Sequence, residues 1–294
     1  MPETVASCPL CNESQRAQID KRDYRGYQVI NQLCANCGLV YQSPRMTESE
    51  LDTFYRHEYR QIYQGSEDPG KRDLSVQRAR AKVLVNILKE AGIEKVQRFA
   101  DIGSSSGLLL EIIRDEYQCQ VVGIEPGQAY RDFAEKRGLK GYDTLIAVDD
   151  AGESVFDLIS LVHVLEHIPE PVSYLKNLRE KYLALEGRIL IEVPNLYAHD
   201  SFEVAHLTSF SKHTLFQVVK KAGYSTISIY LHGQPRSNLI PLYITLLASR
   251  SLEIPSRSAV EEERWIRLKR RTGMAHRQVI ERLFPRQAWL AEYR

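Results

Sequence analysis

Residues Arg98–Pro126 read RFADIGSSSGLLLEIIRDEYQCQVVGIEP, and this stretch decides the fold. A short apolar run, Arg98–Ile102, enters the turn Gly103-Ser104-Ser105-Ser106-Gly107 and leaves it as a helical segment, Leu108–Tyr117. A second apolar run, Gln120–Ile124, follows and ends on Glu125. Strand, turn, helix, strand in this order is the unit of a parallel sheet, because parallel neighbours need a crossover connection. Gly103 permits a tight backbone turn under a ligand, and Gly107 lets the helix approach the strand. The turn is not G-x-G-x-x-G and lacks the Lys of a phosphate loop, which suits a ligand without phosphates at this point. An acid at the end of the second strand lies beside the first turn and can accept both hydroxyls of a ribose. Turn and acid together point to a nucleoside-containing cofactor. The blander alternative is that Glu125 caps a helix and the two glycines serve packing.

Downstream the alternation continues. Strands are expected at Phe156–Leu161 and Arg188–Val193, and helices at Gln128–Arg137, Pro171–Tyr182 and Lys212–Ala222. Thr226–Leu231 and Tyr243–Ser249 have no helix between them and are expected to pair antiparallel at a sheet edge. Upstream, Thr47 and Glu50 have the spacing of a capping box, opening a helix that carries Leu51, Phe54, Tyr55, Tyr59 and Ile62. A polar loop, Gln64–Lys71, leads to a second helix, Leu74–Ala91. The last forty residues are charged, with Glu261–Leu283 expected as one or two amphipathic helices. The expected organisation is 1–45, a zinc-binding module; 46–95, a helical linker or cap; 96–250, an α/β cofactor-binding domain; and 251–294, a helical C-terminal extension.

Four of the five cysteines form two C-x-x-C pairs, Cys8/Cys11 and Cys34/Cys37, separated by 22 residues. Each knuckle turns two thiolates toward one point, and two knuckles complete the tetrahedral sulfur coordination that suits a structural Zn²⁺. Two disulfides or unrelated thiols are the alternatives. Cys119 stands alone and reads as a core thiol.

Charge and hydropathy bound the partners. Lys+Arg total 39 against 38 Asp+Glu, a formal net charge of +1, which argues against a chain that binds polyanions over its whole surface. The longest apolar stretch, Leu239–Ala248, contains Pro241 and is too short to span a bilayer. No charged-then-apolar leader opens the sequence, so a soluble cytoplasmic protein with a small-molecule partner is expected, its oligomeric state open.

DIGSSSG, then VVGIEP, then FDLISLVHVLEHIPEP, over Val96 to about Ser249, together resemble the class I S-adenosylmethionine-dependent methyltransferases. The resemblance implies a Rossmann-like sheet of seven strands with one antiparallel edge. It implies that Asp101, Gly103, Ser104, Ser105 and Gly107 border the methionine part of S-adenosylmethionine. Glu125, followed by Pro126, would hold the ribose hydroxyls. Thr144, within Asp143–Leu145, would lie near adenine, and Leu161 and His163 would lie under the cofactor and face the acceptor. With the cysteine pairs added, the order is similar to a bacterial group that methylates sugars and related metabolites. That group has a segment like E-H-L-S-Y-F-S, for which this chain has Ala205-His206-Leu207-Thr208-Ser209-Phe210-Ser211. Ala205 and Ser209 replace polar partners there. Because deprotonating carbon needs a better supported base than deprotonating a hydroxyl, O-methylation is favoured over C-methylation.

Methyl transfer from a sulfonium needs alignment of the acceptor and a place for its proton. His206 is the first candidate for that proton, with His163 second. Tyr55, Tyr59 and Tyr63 recur at helical spacing, first of all as a packing stripe, with Tyr59 a candidate contact to the acceptor. Glu166-His167 reads as a loop-ordering pair; as a divalent-ion site it would need further ligands, and the sequence around it has His163 where a carboxylate would serve. Arg78 and Arg80 could meet an anionic group or solvent. The competing functions are an RNA methyltransferase gripping its substrate through the zinc module, against which residues 12–33 show only a weak basic excess, and a non-catalytic cofactor-binding subunit.

Overall fold

The two cysteine knuckles bracket an antiparallel hairpin. In the computed structural model, which describes residues 2–65, 68–153, 155–251 and 260–290, β1 (Arg16–Tyr24) pairs with β2 (Tyr27–Cys34), and β2 with the short β3 (Val40–Gln42). Ser66 and Glu67 of the expected polar loop, and 252–259 and 291–294 of the expected C-terminal extension, lie outside the described residues.

Thr47 caps α1 (Glu48–Thr53) through the capping box with Glu50. A turn of wider π-helical pitch, Phe54–Glu58, leads into α2 (Tyr59–Gln64), so the tyrosine stripe runs through an irregular helix. Its rings meet in series at tilted angles, Tyr55 and Tyr59 at 5.3 Å and Tyr59 and Tyr63 at 4.8 Å between centroids. The long α3 (Lys71–Glu90) buries Val76, Ala81, Leu84, Val85, Ile87 and Leu88 on one face, as its helical periodicity predicts.

The chain then alternates as the sequence indicates: β4 (Arg98–Ile102), α4 (Leu108–Tyr117), β5 (Gln120–Ile124), α5 (Gln128–Glu135), β6 (Lys140–Tyr142), α6 (Leu145–Asp150), β7 (Phe156–Val162), α7 (Pro171–Asn177) and β8 (Leu183–Pro194). After the two-residue β9 (Thr208–Ser209) come α8 (Lys212–Lys221), β10 (Tyr224–His232), β11 (Tyr243–Arg250), α9 (Ile266–Leu283) and the short α10 (Pro285–Ala288). The main sheet has the order β10-β11-β8-β7-β4-β5-β6, with β11 antiparallel to both its neighbours and the rest parallel. This is the mixed α/β, seven-stranded Rossmann-like architecture with one antiparallel edge. Strand β6, only three residues long, carries no apolar run that announces it. Among the described residues no helix is long and apolar enough to cross a membrane.

Three connections bind the sequence-defined segments together. Strand β9, in the connection between β8 and α8, pairs with β3, so the cysteine-bearing sheet has the order β1-β2-β3-β9. The residues before α9 fold back on the second knuckle: Glu263 N–H donates to the Cys37 carbonyl, and a Cβ on Gly38 would stand 2.8 Å from the Glu263 carbonyl. The Glu263 carboxylate in turn accepts from the Tyr197 hydroxyl at 2.7 Å and from Ser211 Oγ.

The turn between β4 and α4 depends on close approach. Gly107 has φ +75°, and a Cβ there would lie 2.7 Å from Leu139 Cδ1 and 3.0 Å from Ala134 Cβ. Gly107→Val is therefore expected to lower unfolding stability by about 2–5 kcal/mol, from backbone strain plus overpacking. Gly138→Ala, also at positive φ but with nothing within 4 Å, should cost only the strain of about 1 kcal/mol. Equal losses in denaturant titration for the two variants would refute the close-packing account.

Candidate functional site

Because β5 and β7 flank β4 on opposite sides, the loops leaving their carboxyl ends diverge and a crevice opens between them. It holds a cavity of about 510 Å³. Its floor is the β4 turn, its rim on one side the end of β5, and its cover the amino-terminal half of α3 with Tyr55 and Tyr59.

The floor is organised by two buried carboxylates. Glu125, at the end of β5, accepts from Ser105 N–H at 2.9 Å and from Gly127 N–H at 3.0 Å, so it ties the β4 turn to the β5 turn. Ser105 adopts φ +49° and Gly103 φ +71°; a Cβ on Gly103 would meet Val164 Cγ2 at 2.4 Å. Asp101 accepts from Ser160 Oγ at 2.5 Å across to β7. Burial pushes Asp101 up to about 7, with the Glu125 charge acting in the same direction and the Ser160 hydrogen bond only partly opposing it. A cationic ligand group beside Asp101 would relieve this, since an opposite charge favours the ionised carboxylate.

Helix α3 closes the crevice through polar side chains. Gln77 donates to Asp73 at 2.6 Å and to Ser105 Oγ at 3.2 Å, and its carbonyl oxygen accepts from Ser106 Oγ at 2.5 Å. Tyr130 on α5 donates to Asp73 at 3.0 Å. One turn further on, Arg80 reaches beneath the cavity to Glu192 on β8, 2.9 Å away, and lies over the Tyr243 ring at 4.9 Å.

The opposite wall is built from histidines and tyrosines. His163, at φ +57° after β7, stands between two buried carboxylates: Nδ1 is 3.3 Å from Glu166 and Nε2 is 3.3 Å from Glu192. Burial raises Glu192, but contacts from His163, His232 and Arg80 outweigh it and hold the carboxyl well below the usual range. His167 gives its Nδ1 side to the Ala205 carbonyl at 2.8 Å, and its ring meets Tyr55 and Tyr59 edge-on. Burial pushes His167 down to about 4, against the attraction of Glu166, so the ring is neutral at pH 7. His206 lies one ring behind, 5.1 Å from His167, with its Nδ1 on the Ser201 carbonyl at 2.9 Å.

The structure thus brings together Asp101, Gly103, Ser104, Ser105, Glu125, Pro126, Thr144, His163 and Tyr59 around one cavity. Three expected residues stand outside its lining. Gly107 is behind the turn, in the α4–α5 packing just described. Leu161 is wholly buried in the core cluster that holds Ile159, Ile189 and Ile191, without reaching the cavity lining. His206 is screened from the cavity by His167, since Gln42 on β3 pulls the 203–206 loop back through bonds to the Glu203 and His206 carbonyls. Sequence reading passed over Asp73, Gln77 and Tyr174, which also line the cavity, and favoured a loop-ordering role for His167 over a divalent-ion site. Asp73, Gln77, Arg80 and Leu84 recur at helical spacing on one face of α3, but that pattern does not tell a cavity cover from a solvated helix.

Away from the cavity, the Sγ atoms of Cys8, Cys11, Cys34 and Cys37 converge to within 4.8 Å of one another. Cys8 and Cys37 are 3.6 Å apart and Cys11 and Cys34 3.4 Å, beyond the roughly 2.05 Å of a disulfide. Zn–S bonds of about 2.3 Å place the edges of a sulfur tetrahedron at about 3.8 Å, so the four thiols fit such an ion.

Comparison with known proteins gives a consistent fold. The sequence model described as a methyltransferase domain matches residues 76–229. The Burkholderia thailandensis 1,6-didemethyltoxoflavin-N1-methyltransferase, solved with S-adenosylhomocysteine, is 16% identical and superposes with a TM-score of 0.56 over 74% of this chain and 97% of its own. A plantazolicin methyltransferase in complex with S-adenosylhomocysteine is 15% identical, with a TM-score of 0.51 over 68% and 94%. An Archaeoglobus fulgidus SAM-dependent methyltransferase is 15% identical, with a TM-score of 0.50 over 65% and 98%. No curated protein matches the chain in sequence.

The raised Asp101 carboxyl has a consequence for the ligand-free protein. Between the unfolded value near 3.9 and about 7 the native state binds the proton that the unfolded state has lost, so this group's contribution to stability falls as pH rises through that window. Asp101→Asn should therefore show a smaller decline than wild type in the thermal midpoint between pH 4.5 and 7.5. Parallel curves for the two proteins would contradict the raised value. The neutral histidines titrate in both proteins, and their contribution cancels in the difference.

Proposed function

The chain belongs to the methyltransferase-domain family and is an S-adenosylmethionine-dependent methyltransferase, and on that premise we propose that it methylates a hydroxyl of a small metabolite, a sugar or nucleotide-linked sugar. The observation that carries this reading is the two-sided cavity. One side has the glycine–serine turn and the Glu125 carboxylate, and the other a wall of Tyr55, Tyr59, His163 and His167.

In this reading Glu125 holds the ribose hydroxyls, Pro126 and Thr144 border the base, and Asp101, Gly103, Ser104 and Ser105 border the methionine part. Asp101, raised by burial, gains its charge against the cofactor's ammonium. Gly107 contributes by letting α4 pack close to the turn. The aromatic wall suits a sugar, whose apolar faces stack on rings while its hydroxyls find ring nitrogens and phenols. The cofactor supplies an already activated methyl, so the protein's task is to hold the acceptor oxygen in line with the S–CH₃ bond and take away its proton. His163 has a carboxylate at each ring nitrogen and orients the wall. The proton leaves on the His167 side, with His206 supporting that ring from behind. Tyr59 packs on the acceptor.

The cysteine cluster, with four thiolates and no open position, holds a structural Zn²⁺ in this reading. Metal analysis of the chain purified without chelator should return one zinc per chain, and a Cys34→Ser/Cys37→Ser double variant should lose it together with several degrees of thermal midpoint. Retained zinc in that variant would reject the assignment.

The cofactor role is tested by calorimetry with S-adenosylhomocysteine. Glu125→Ala is expected to weaken binding at least tenfold, since two hydrogen bonds to a charged acceptor are lost at about 1.5–3 kcal/mol each. Undiminished affinity would remove the ribose role. The acceptor class is tested with radiolabelled S-adenosylmethionine and a panel of nucleotide-linked sugars. Label transferred to a sugar oxygen supports the reading; cofactor binding with label transferred only to other acceptor classes contradicts it.

A further inference from the structure

Glu166 is 1% exposed, and neither carboxylate oxygen has a hydrogen-bond partner. Oε1 stands 3.3 Å from His163 Nδ1, an electrostatic contact that falls short of hydrogen-bond geometry. A buried carboxylate left in this state costs several kcal/mol unless a cation reaches it. Two other groups face the same point. One ligand atom each from Glu166, His167 and His206 lie within 4.8 Å of one another, and all three residues are buried.

The histidines are prepared in the same way. Each has its Nδ1 on a main-chain carbonyl, His167 on Ala205 and His206 on Ser201. A carbonyl only accepts, so each Nδ1 carries the proton and each neutral ring is left with a bare Nε2 lone pair. Two bare imidazole nitrogens and one carboxylate form a set of acceptors with no donor among them, and a cation satisfies all three at once. Backbone carbonyls on the far nitrogens are also how metal-binding histidines are held in their tautomer.

We propose that Glu166, His167 and His206 bind a divalent first-row transition cation at the acceptor wall of the cavity, a site that rests on the reading of this cavity as the place of methyl transfer. Two imidazoles and one carboxylate select zinc, iron, cobalt, nickel or manganese over calcium and magnesium, which favour all-oxygen sites. Around an ion with bonds of about 2.1 Å the ligand atoms stand roughly 3.0–3.5 Å apart, and from separations of at most 4.8 Å small side-chain rotations provide this. His167 alone of the three lines the cavity, so the open coordination positions face the acceptor. An ion there would supply a Lewis acid that makes a coordinated hydroxyl more acidic, so that its proton passes to solvent at the mouth of the cavity rather than to a ring nitrogen that the ion occupies. It also accounts for the placement of His206, which stands too far back to touch an acceptor itself. The site combines Glu166 and His167, adjacent in sequence after β7, with a histidine from the loop that β3 holds.

The test uses the full chain with its cysteine site zinc-loaded, so that added cobalt reports on other sites. Titration with Co²⁺ should give one equivalent bound per chain, with visible d–d bands and no sulfur-to-cobalt charge-transfer band. Glu166→Gln and His206→Asn should each weaken this binding at least tenfold. Both variants should keep wild-type S-adenosylhomocysteine affinity, which certifies their fold and separates this site from the cofactor reading. On the unmutated chain, Co²⁺ should broaden the ring resonances of His167 and His206 beyond detection, a readout that survives should a variant fail to fold. No cobalt bound at millimolar concentration, binding equal in wild type and folded variants, or broadening of other histidines instead would overturn the proposal. S-adenosylhomocysteine binding with no cobalt bound would overturn it alone and leave the methyl-transfer reading standing.

Discussion

The strand order turns at β4. Strands β5 and β6 lie to one side of it and β7 and β8 to the other, so the chain must leave neighbouring strand ends in opposite directions. No side chain chooses this crevice; parallel pairing with right-handed crossovers produces it. What the sequence chooses is how the crevice is lined and stabilised. The backbone amides there have no strand to pair with, and a buried carboxylate, Glu125, takes two of them. Glycine at 103 lets Val164 pack against the turn, and glycine at 107 lets α5 do so from below. The cavity is therefore an outcome of the sheet's topology, held open by a few residues that can accept main-chain hydrogen bonds or vanish sterically.

A second dependence runs from the cysteine pairs to the histidine wall. The second knuckle fixes the start of β3, β3 pairs with β9, and the Gln42 side chain on β3 donates to three consecutive-loop carbonyls, those of Glu203, Val204 and His206. That loop supplies the Ala205 carbonyl that orients His167 and carries His206 itself. The Tyr55 and Tyr63 hydroxyls touch Ala205 from the other side. Segments far apart in the chain thus set one ring's position: the knuckle around Cys37, the tyrosine helix and the loop after β8. Disturbing the cysteine cluster should be felt at the histidine wall before it is felt at Glu125, which belongs to the central sheet.

The sheet was largely legible in the sequence because its strands are short apolar runs separated by helical periodicity, and the antiparallel edge followed from the missing helix between Thr226–Leu231 and Tyr243–Ser249. Strand β6 was not, since Lys140-Gly141-Tyr142 shows neither a run nor an alternation and exists as a strand only because β5 offers it an edge. The turn-and-acid side of the cavity could be read because a turn and an acid at fixed offsets create it locally. The histidine–tyrosine side could not, because it is made by tertiary placement. Whether Arg80 faces solvent or Glu192, and whether His206 or His167 stands nearer the cavity, depends on how β3 draws in a loop some 160 residues later. The place of His206 behind His167 follows from the Gln42 contacts together with its Nδ1 bond to the Ser201 carbonyl, and no local pattern announces either.

The central claim is that a nucleoside cofactor seats between the β4 turn and α3, against Glu125. Hydrogen exchange of the full chain with and without S-adenosylhomocysteine tests it most directly. Exchange slows where ligand contact suppresses local opening. The account predicts slowed exchange in the turn 103–107, at 125–127 and in the first half of α3, with the outer strands β10 and β11 unchanged. Unaltered exchange across the turn and α3, or protection confined to the cysteine-bearing sheet, would contradict it.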